Sequence, residues 1–252
     1  MKLFLLSCLM AMPLWGIGQT LSKKTLDSLA QKGITVEYLT GRYQAEKDAR
    51  FVKMEAQHSN AVRYIRKEAN EAFKKMHAAA KKEGINLVVI SAIRNFEAQR
   101  SIWDAKFNGQ RQVDGVMLPA KMSAEEKVKR ILRWSAMPGT SRHHWGTDID
   151  INSVSPAYWN GAKGKKEYAW LQKNAAKYGF CHVYSTLKEN GRKTGYQEEK
   201  WHWSYLPIAN DLTFWFPKMI KDSDLKDCKG AEVASKLQII QNYVLGLNPS
   251  CK

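Results

Sequence analysis

The chain has 252 residues, 44% of them hydrophobic and 25% charged, which excludes a disordered polymer and allows one sizeable packed core. Its formal charge of +16 comes from Lys and Arg spread along the whole length, a field that draws anionic partners such as an anionic envelope surface; without a zinc finger, RNP-like signature or basic heptad region, nucleic acid is set aside. Beyond the N-terminus no run approaches ~18 apolar residues, so the mature chain is expected to have no transmembrane segment.

The opening MKLFLLSCLMAMPLWGIGQT has a basic start, a short apolar run broken by Pro13, and small residues Gly16 and Gly18 before Gln19. That is the layout of a secretory signal peptide over residues 1–18, and it predicts export to the periplasm or cell envelope. Cys8 would leave with it. Of the three remaining cysteines, Cys228 and Cys251 flank the C-terminal segment and are expected to close it as a disulfide, while Cys181 reads as a small buried hydrophobe.

Residues 19–58 read as a polar lead-in containing one short amphipathic helix, SKKTLDSLAQKG, ended by Gly33. Over 59–84, Val62, Ile65, Ala69, Phe73, Met76 and Ala80 recur at helical spacing, and Gly84 supplies the stop. The run INLVVISAI that follows has the pattern of a central strand. Asn95 can cap a helix reaching about Phe107, and Ser123 with Glu126 forms a capping-box pattern before KVKRILRW. A further helix is predicted over 165–178, stopped by Gly179; FCHVYS and KWHWSY read as strands, and Pro207 opens a helical tail. The order of elements predicts an α+β fold, a small, largely antiparallel sheet packed with helices. The domain reading is signal peptide 1–18, helical lead-in 19–58, catalytic domain 59–217 and C-terminal tail 218–252.

The stretch SRHHWGTDIDIN, residues 141–152, gathers two of the six histidines beside two aspartates. Strict alternation in TDIDIN puts Ile149 and Ile151 on the core face of a strand and Asp148, Asp150 and Asn152 on the other. Gly146 lets the chain turn, so His143 and Asp150 can reach one side of a bent strand or hairpin. A third ligand is offered by KWHWSY, where Trp201, Trp203 and Tyr205 point one way and His202 and Ser204 the other. Two His and one carboxylate, with a fourth position left to water, suit one catalytic zinc ion. Glu199 could take the water's proton, but in a regular strand it would face away from His202, so this reading requires a bend at Lys200. Arg94, directly after INLVVISAI, could hold an oxyanion or a substrate carboxylate.

SRHHWGTDID fits Ser-x-His-x-x-Gly-x-x-x-Asp, and EKWHWSY fits Glu-x-Trp-His-x-x-Tyr. With SAIRNFEAQ, a Ser-x-x-Arg segment followed by a glutamine, these resemble the signatures of the VanY-like D-alanyl-D-alanine carboxypeptidases of the M15 family of zinc peptidases, over residues 59–207. The resemblance implies zinc on His143, Asp150 and His202, Glu199 as general base, Arg94 steadying substrate or transition state, and Ser141 and Gln99 lining the substrate pocket. It implies the compact fold shared with murein peptidases and the hedgehog signalling domain, and peptidoglycan stem peptides as substrate. Three residues depart from the pattern. Asp148 stands where alanine is common, either to meet a cationic part of the stem or to orient His144; Lys200 replaces a proline; and Ile93 replaces an aromatic. An L,D-carboxypeptidase, a murein endopeptidase and a non-catalytic zinc-containing cell-wall binding module stay open as alternatives.

Overall fold

The computed structural model describes residues 21–251; the segment read as a signal peptide, with Cys8, lies outside them. Helix α1 (Lys23–Gln31) is capped by the Ser22 side chain and released at Gly33, and α2 (Val36–Thr40) is capped by Thr35. A two-stranded ribbon follows, β1 (Phe51–Lys53) antiparallel to β2 (Tyr64–Arg66). Helix α3 (Lys67–Lys82) leads to β3 (Val89–Ser91), α4 (Phe96–Phe107) and α5 (Ala124–Ile131). A 3₁₀ turn (Arg142–Trp145) precedes β4 (Asp148–Ile151). After α6 (Pro156–Asn160) and α7 (Ala162–Asn174) come β5 (Phe180–Cys181), β6 (His202–Tyr205) and α8 (Leu206–Met219).

The α+β expectation holds. β3, β4, β6 and β5 form one antiparallel sheet in that order. On one face Ile149, Ile151, Phe180 and Trp203 pack with the stripe Ala69, Phe73, Met76 and Ala80 of α3 and with Trp170 and Leu171 of α7. This is the helical period of α3 meeting the two-residue period of β4. The other sheet face is polar yet buried, covered by the 3₁₀ turn and α8. Beyond it a second core joins α1, α2, α5 and α8 through residues such as Leu29, Leu39, Ile131, Trp145 and Leu212.

Local signals located the helix caps. Asn95 accepts from the Ala98 amide, and Ser123 with Glu126 completes its capping box. Several boundaries differ. The predicted helix over 59–84 begins only at Lys67, because residues 64–66 pair with β1, which leaves Val62 63% exposed. INLVVISAI contributes an edge strand of three residues rather than a central one. Its outer side is closed by residues 58–60, where Asn60 N donates to the Val89 carbonyl and Val89 N to that of His58. The helix read over 165–178 is α7 followed by a 3₁₀ turn (Ala175–Tyr178), and FCHVYS is extended only at 180–181.

The cysteine pairing is also corrected. Cys181 and Cys251 form the disulfide, their Cα atoms 5.8 Å apart, and Cys228 is free. The C-terminal 3₁₀ turn (Pro249–Cys251) lies beside β5, where Asn248 N donates to the Val183 carbonyl. That neighbourhood is set by packing, which spacing along the chain does not reveal.

Candidate metal and catalytic site

β4 and β6 bring the predicted ligands together. Asp150 pairs directly with His202 across the sheet, and both point to the polar face. His143 arrives from the 3₁₀ turn rather than from a bent strand. The turn is released by Gly146, whose φ of 69° suits glycine and where an added Cβ would stand 2.6 Å from the Phe51 ring. One nitrogen or oxygen from each of His143, Asp150 and His202 lies within 4.8 Å of the others, and all three residues are buried.

The histidine nitrogens have divided roles. His143 Nδ1 lies 2.7 Å from the Ala92 carbonyl oxygen and donates to it, leaving Nε2 toward Asp150 at 3.3 Å. His202 Nε2 lies 3.0 Å from Asp148 Oδ1, and its Nδ1 faces Asp150 Oδ1 at 3.2 Å. His143 Nε2 and Asp150 Oδ1 are buried without completing a hydrogen bond. One imidazole nitrogen and one carboxylate oxygen without partners, with His202 Nδ1 beside them and both histidines held from behind, fit a divalent transition metal such as zinc.

Electrostatics agree with a demand for positive charge there. Burial works against a charged His202, but hydrogen bonds and charge from Asp148 and Asp150 outweigh it and push its pKa up to about 9. Burial likewise opposes ionised Asp150, yet the two histidines hold it well below the usual carboxylate range.

Asp148 is neither open to a cationic part of the stem nor in contact with His144, the two roles the sequence suggested. It is 0% exposed, and its Oδ1 accepts from Arg142 Nε at 2.9 Å as well as from His202. Its Oδ2 accepts from Thr147 Oγ1 at 2.6 Å and Ser204 Oγ at 3.0 Å. Arg142 continues the network to Ser204 and to Thr213 of α8, each at 2.7 Å. His144 instead donates from Nδ1 to the Arg94 carbonyl at 2.6 Å and accepts the Gly139 amide at Nε2. Arg94 N in turn donates to the His143 carbonyl, so the end of β3 is bolted to the 3₁₀ turn.

The required bend at Lys200 exists. β6 starts only at His202, and the His202 amide donates to the Glu199 carbonyl at 2.9 Å, closing a turn that returns Glu199 to the metal side. Glu199 Oε2 stands 3.6 Å from His202 Nδ1, and burial raises its pKa to about 7. His182 receives that turn from beneath: its Nε2 lies 3.0 Å from the Glu199 carbonyl, and its ring stacks on Trp203. Glu198 turns away toward Lys200, 3.9 Å off.

Two cavities meet at this centre. A recess of about 30 Å³ is lined by Ser141, His143, Tyr184, Tyr196 and His202. A cleft of about 370 Å³ is lined by Lys106, Arg111, Val154, Asp150 and Trp201. Arg94, Trp134, Ser135 and Glu199 border both. Gln99 lines neither; fully buried, it donates to the carbonyl of Ala136 in the recess wall. Trp201 and Trp203 both belong to the core, and Trp201 also stacks on Trp134 and walls the cleft.

Sequence reasoning missed Tyr184, Tyr196, Trp134 and Lys106. Their only local signal is position after a strand or near the end of a helix. Tyr196 is delivered by buried Arg192, which donates to the carbonyls of Ser185, Tyr196 and Gly246.

Against known families, residues 62–208 match the sequence profile of VanY, D-alanyl-D-alanine carboxypeptidase. YodJ of Bacillus subtilis, named for a carboxypeptidase, is 37% identical over 169 residues, 65% of this chain and 52% of that protein. A D-alanyl-D-alanine carboxypeptidase of Enterococcus faecalis is 32% identical over 130 residues, 52% of this chain and 44% of that protein. The chain thus spans about half the length of these curated relatives. Among solved structures, a VanY D,D-pentapeptidase variant from a VanB-type vancomycin resistance cassette, in complex with Zn(II), is 26% identical. It covers 68% of this chain and 86% of its own, with a TM-score of 0.48.

Proposed function

This chain belongs to the VanY family of D-alanyl-D-alanine carboxypeptidases, and on that premise we propose that it is an exported zinc metallopeptidase trimming peptidoglycan stem peptides at their C-terminal end. The observation that carries the proposal is the buried set His143, Asp150 and His202, in which His143 Nε2 and Asp150 Oδ1 lack partners, beside Glu199.

His143 Nε2, His202 Nδ1 and an Asp150 oxygen would hold the zinc. When bound, zinc supplies Lewis acidity and makes hydroxide accessible near neutral pH. Glu199 takes the proton of the attacking water and hands it to the departing amine, the work of a general base turned acid. Its burial keeps its proton affinity close to neutral, which suits both halves of that transfer. Arg94, fixed through its backbone by His143 and His144 and bordering both cavities, would balance negative charge developing on the scissile carbonyl oxygen. Ser141, 3% exposed in the recess wall, would meet the end of the substrate.

The size of the recess favours terminal over internal cleavage. At about 30 Å³, the room of a water or two, it has no space for a continuing chain. Export rests on the signal-like residues 1–18, and the excess of Lys and Arg suits an anionic envelope. The test is mass spectrometry of muropeptides digested by the zinc-loaded protein and by its Glu199→Ala variant. Loss of one terminal residue with the parent alone supports the proposal. Internal cleavage would make it an endopeptidase, and no product despite bound zinc would make it a binding module.

A further inference from the structure

We propose that the larger cleft is a subsite for a carboxylate on the N-terminal side of the scissile bond, received by Lys106 with Arg111 at the rim. The inference rests on the peptidase reading above and specifies the substrate that the site prefers.

The two cavities share Arg94 and Glu199, so the reacting bond lies along that common border. The recess, at about 30 Å³, has no room for a continuing chain. The preceding part of the peptide must therefore run into the cleft of about 370 Å³, where Trp134, Trp201, Val154 and Pro156 offer apolar wall.

Charge in this cleft is unbalanced. Its carboxylates are Asp114, Asp150 and Glu199. Asp114 is committed to Arg133 at 3.2 Å and to the indole N–H of Trp134. Asp150 and Glu199 face the metal position. Lys106 is half-buried and bonds only Ser135 Oγ, at 2.5 Å. Among the described residues neither Lys106 nor Arg111 has a carboxylate within ion-pair distance.

A half-buried ammonium beside two guanidinium groups is a costly arrangement. Burial first, and then the charges of Arg111 and Arg94, draw the Lys106 pKa down to about 8 against the weaker pull of Glu199 and Asp114. An incoming carboxylate would offset both costs at once. Lys106 is also aimed: it lies one helical turn after Ile102 on the α4 face that lines the cleft, and Ser135 fixes its head. A lysine that merely added surface charge would extend into water.

Stem peptides carry free carboxylates upstream of the terminal pair from two sources, the acidic residue and a diamino residue bearing its own carboxylate. The experiment uses the zinc-loaded protein and three synthetic stem peptides with the same C-terminal pair. One has both carboxylates free, one has the acidic residue amidated, and one has lysine in place of the carboxylated diamino residue. Steady-state kinetics are measured for the parent, Lys106→Met, which keeps the aliphatic stem, and Lys106→Arg, which keeps the charge. Circular dichroism monitors folding.

The expected result is a KM about tenfold higher, with kcat little changed, for the peptide that lacks the recognised carboxylate. Lys106→Met should lose that preference and Lys106→Arg should retain most of it. The peptide that suffers identifies which carboxylate is read. Equal cleavage of all three by the parent, or a preference that survives in Lys106→Met, overturns the subsite while leaving the peptidase in place. No cleavage of any peptide by the parent would remove the peptidase reading and the subsite with it.

Discussion

Asp148 accepts a hydrogen bond from His202 Nε2 at 3.0 Å, and this contact decides which nitrogen His202 turns toward Asp150 and Glu199. Arg142 and His202 hold the Asp148 carboxyl far below its ordinary range against its burial, so it is ionised and can only accept. Nε2 must then carry the proton, which frees Nδ1 as the ligand atom. A carboxylate behind a metal-binding imidazole steadies the ring and raises its basicity.

Asp148→Asn should therefore fold but bind zinc about 10- to 100-fold more weakly, measured by competition with a chromophoric chelator. Affinity equal to that of the parent would show that the contact is packing alone. Asp148→Ala should fare worse in stability, because it strands the Arg142 guanidinium, 1% exposed, without a counter-charge. Losing one partner of such a pair costs about 3–5 kcal/mol, readable in urea denaturation of the metal-free protein.

Glu199→Gln should keep its zinc, checked by metal analysis after dialysis, and lose turnover by about 100- to 10,000-fold, the usual worth of a general base. Glu198→Gln should stay within about threefold of the parent, since Glu198 turns toward Lys200. Comparable losses in both variants would dissolve the assignment of the base.

Acid should loosen the fold before most carboxylates titrate. Burial holds the pKa of His144 down to about 3 and that of His182 down to about 4, against 6.5 for a free ring. Between pH 6.5 and about 4 the unfolded chain binds more protons than the folded one, so stability falls as pH falls. Each ring contributes on the order of 3 kcal/mol across that window. Glu199, with its raised pKa, works in the opposite direction over part of the same range. The readout is consequently the difference in slope of Tm against pH between the parent and His144→Gln or His182→Gln. Parallel slopes would mean that these rings are not held neutral.

Peptide mapping without reductant should recover Cys181 linked to Cys251 and Cys228 as a thiol. Closing a separation of 70 residues constrains the unfolded chain by about 4 kcal/mol, so Cys251→Ser should lower stability by an amount of that order. Burial pushes the Cys228 thiol up to about 12, and it should react slowly with maleimide until the protein is unfolded.

The candidate metal ligands were legible because the information is local. Scarce histidines, a strict two-residue alternation in TDIDIN and KWHWSY, and a glycine able to turn the chain place His143, Asp150 and His202 on reachable faces. The demand for a bend at Lys200 was legible for the same reason: a three-residue spacing conflicts with strand period, and the Glu199–His202 turn resolves it. Helix caps at Asn95 and Ser123 are likewise signals among neighbours.

The sequence by itself therefore determined the kind of chemistry this chain can hold, since ligand type and face follow from residue identity and backbone period. Only the tertiary structure decided what stands behind and beside that centre. Asp148 reaches His202 across 54 positions, Cys181 reaches Cys251 across 70, and INLVVISAI lies at a sheet edge covered by residues 58–60. Lys106 faces Glu199 across a cleft that exists only once α4 and β6 are in place. These are contacts between distant segments, chosen by how two cores close around one sheet, and no local pattern specifies which surfaces will meet.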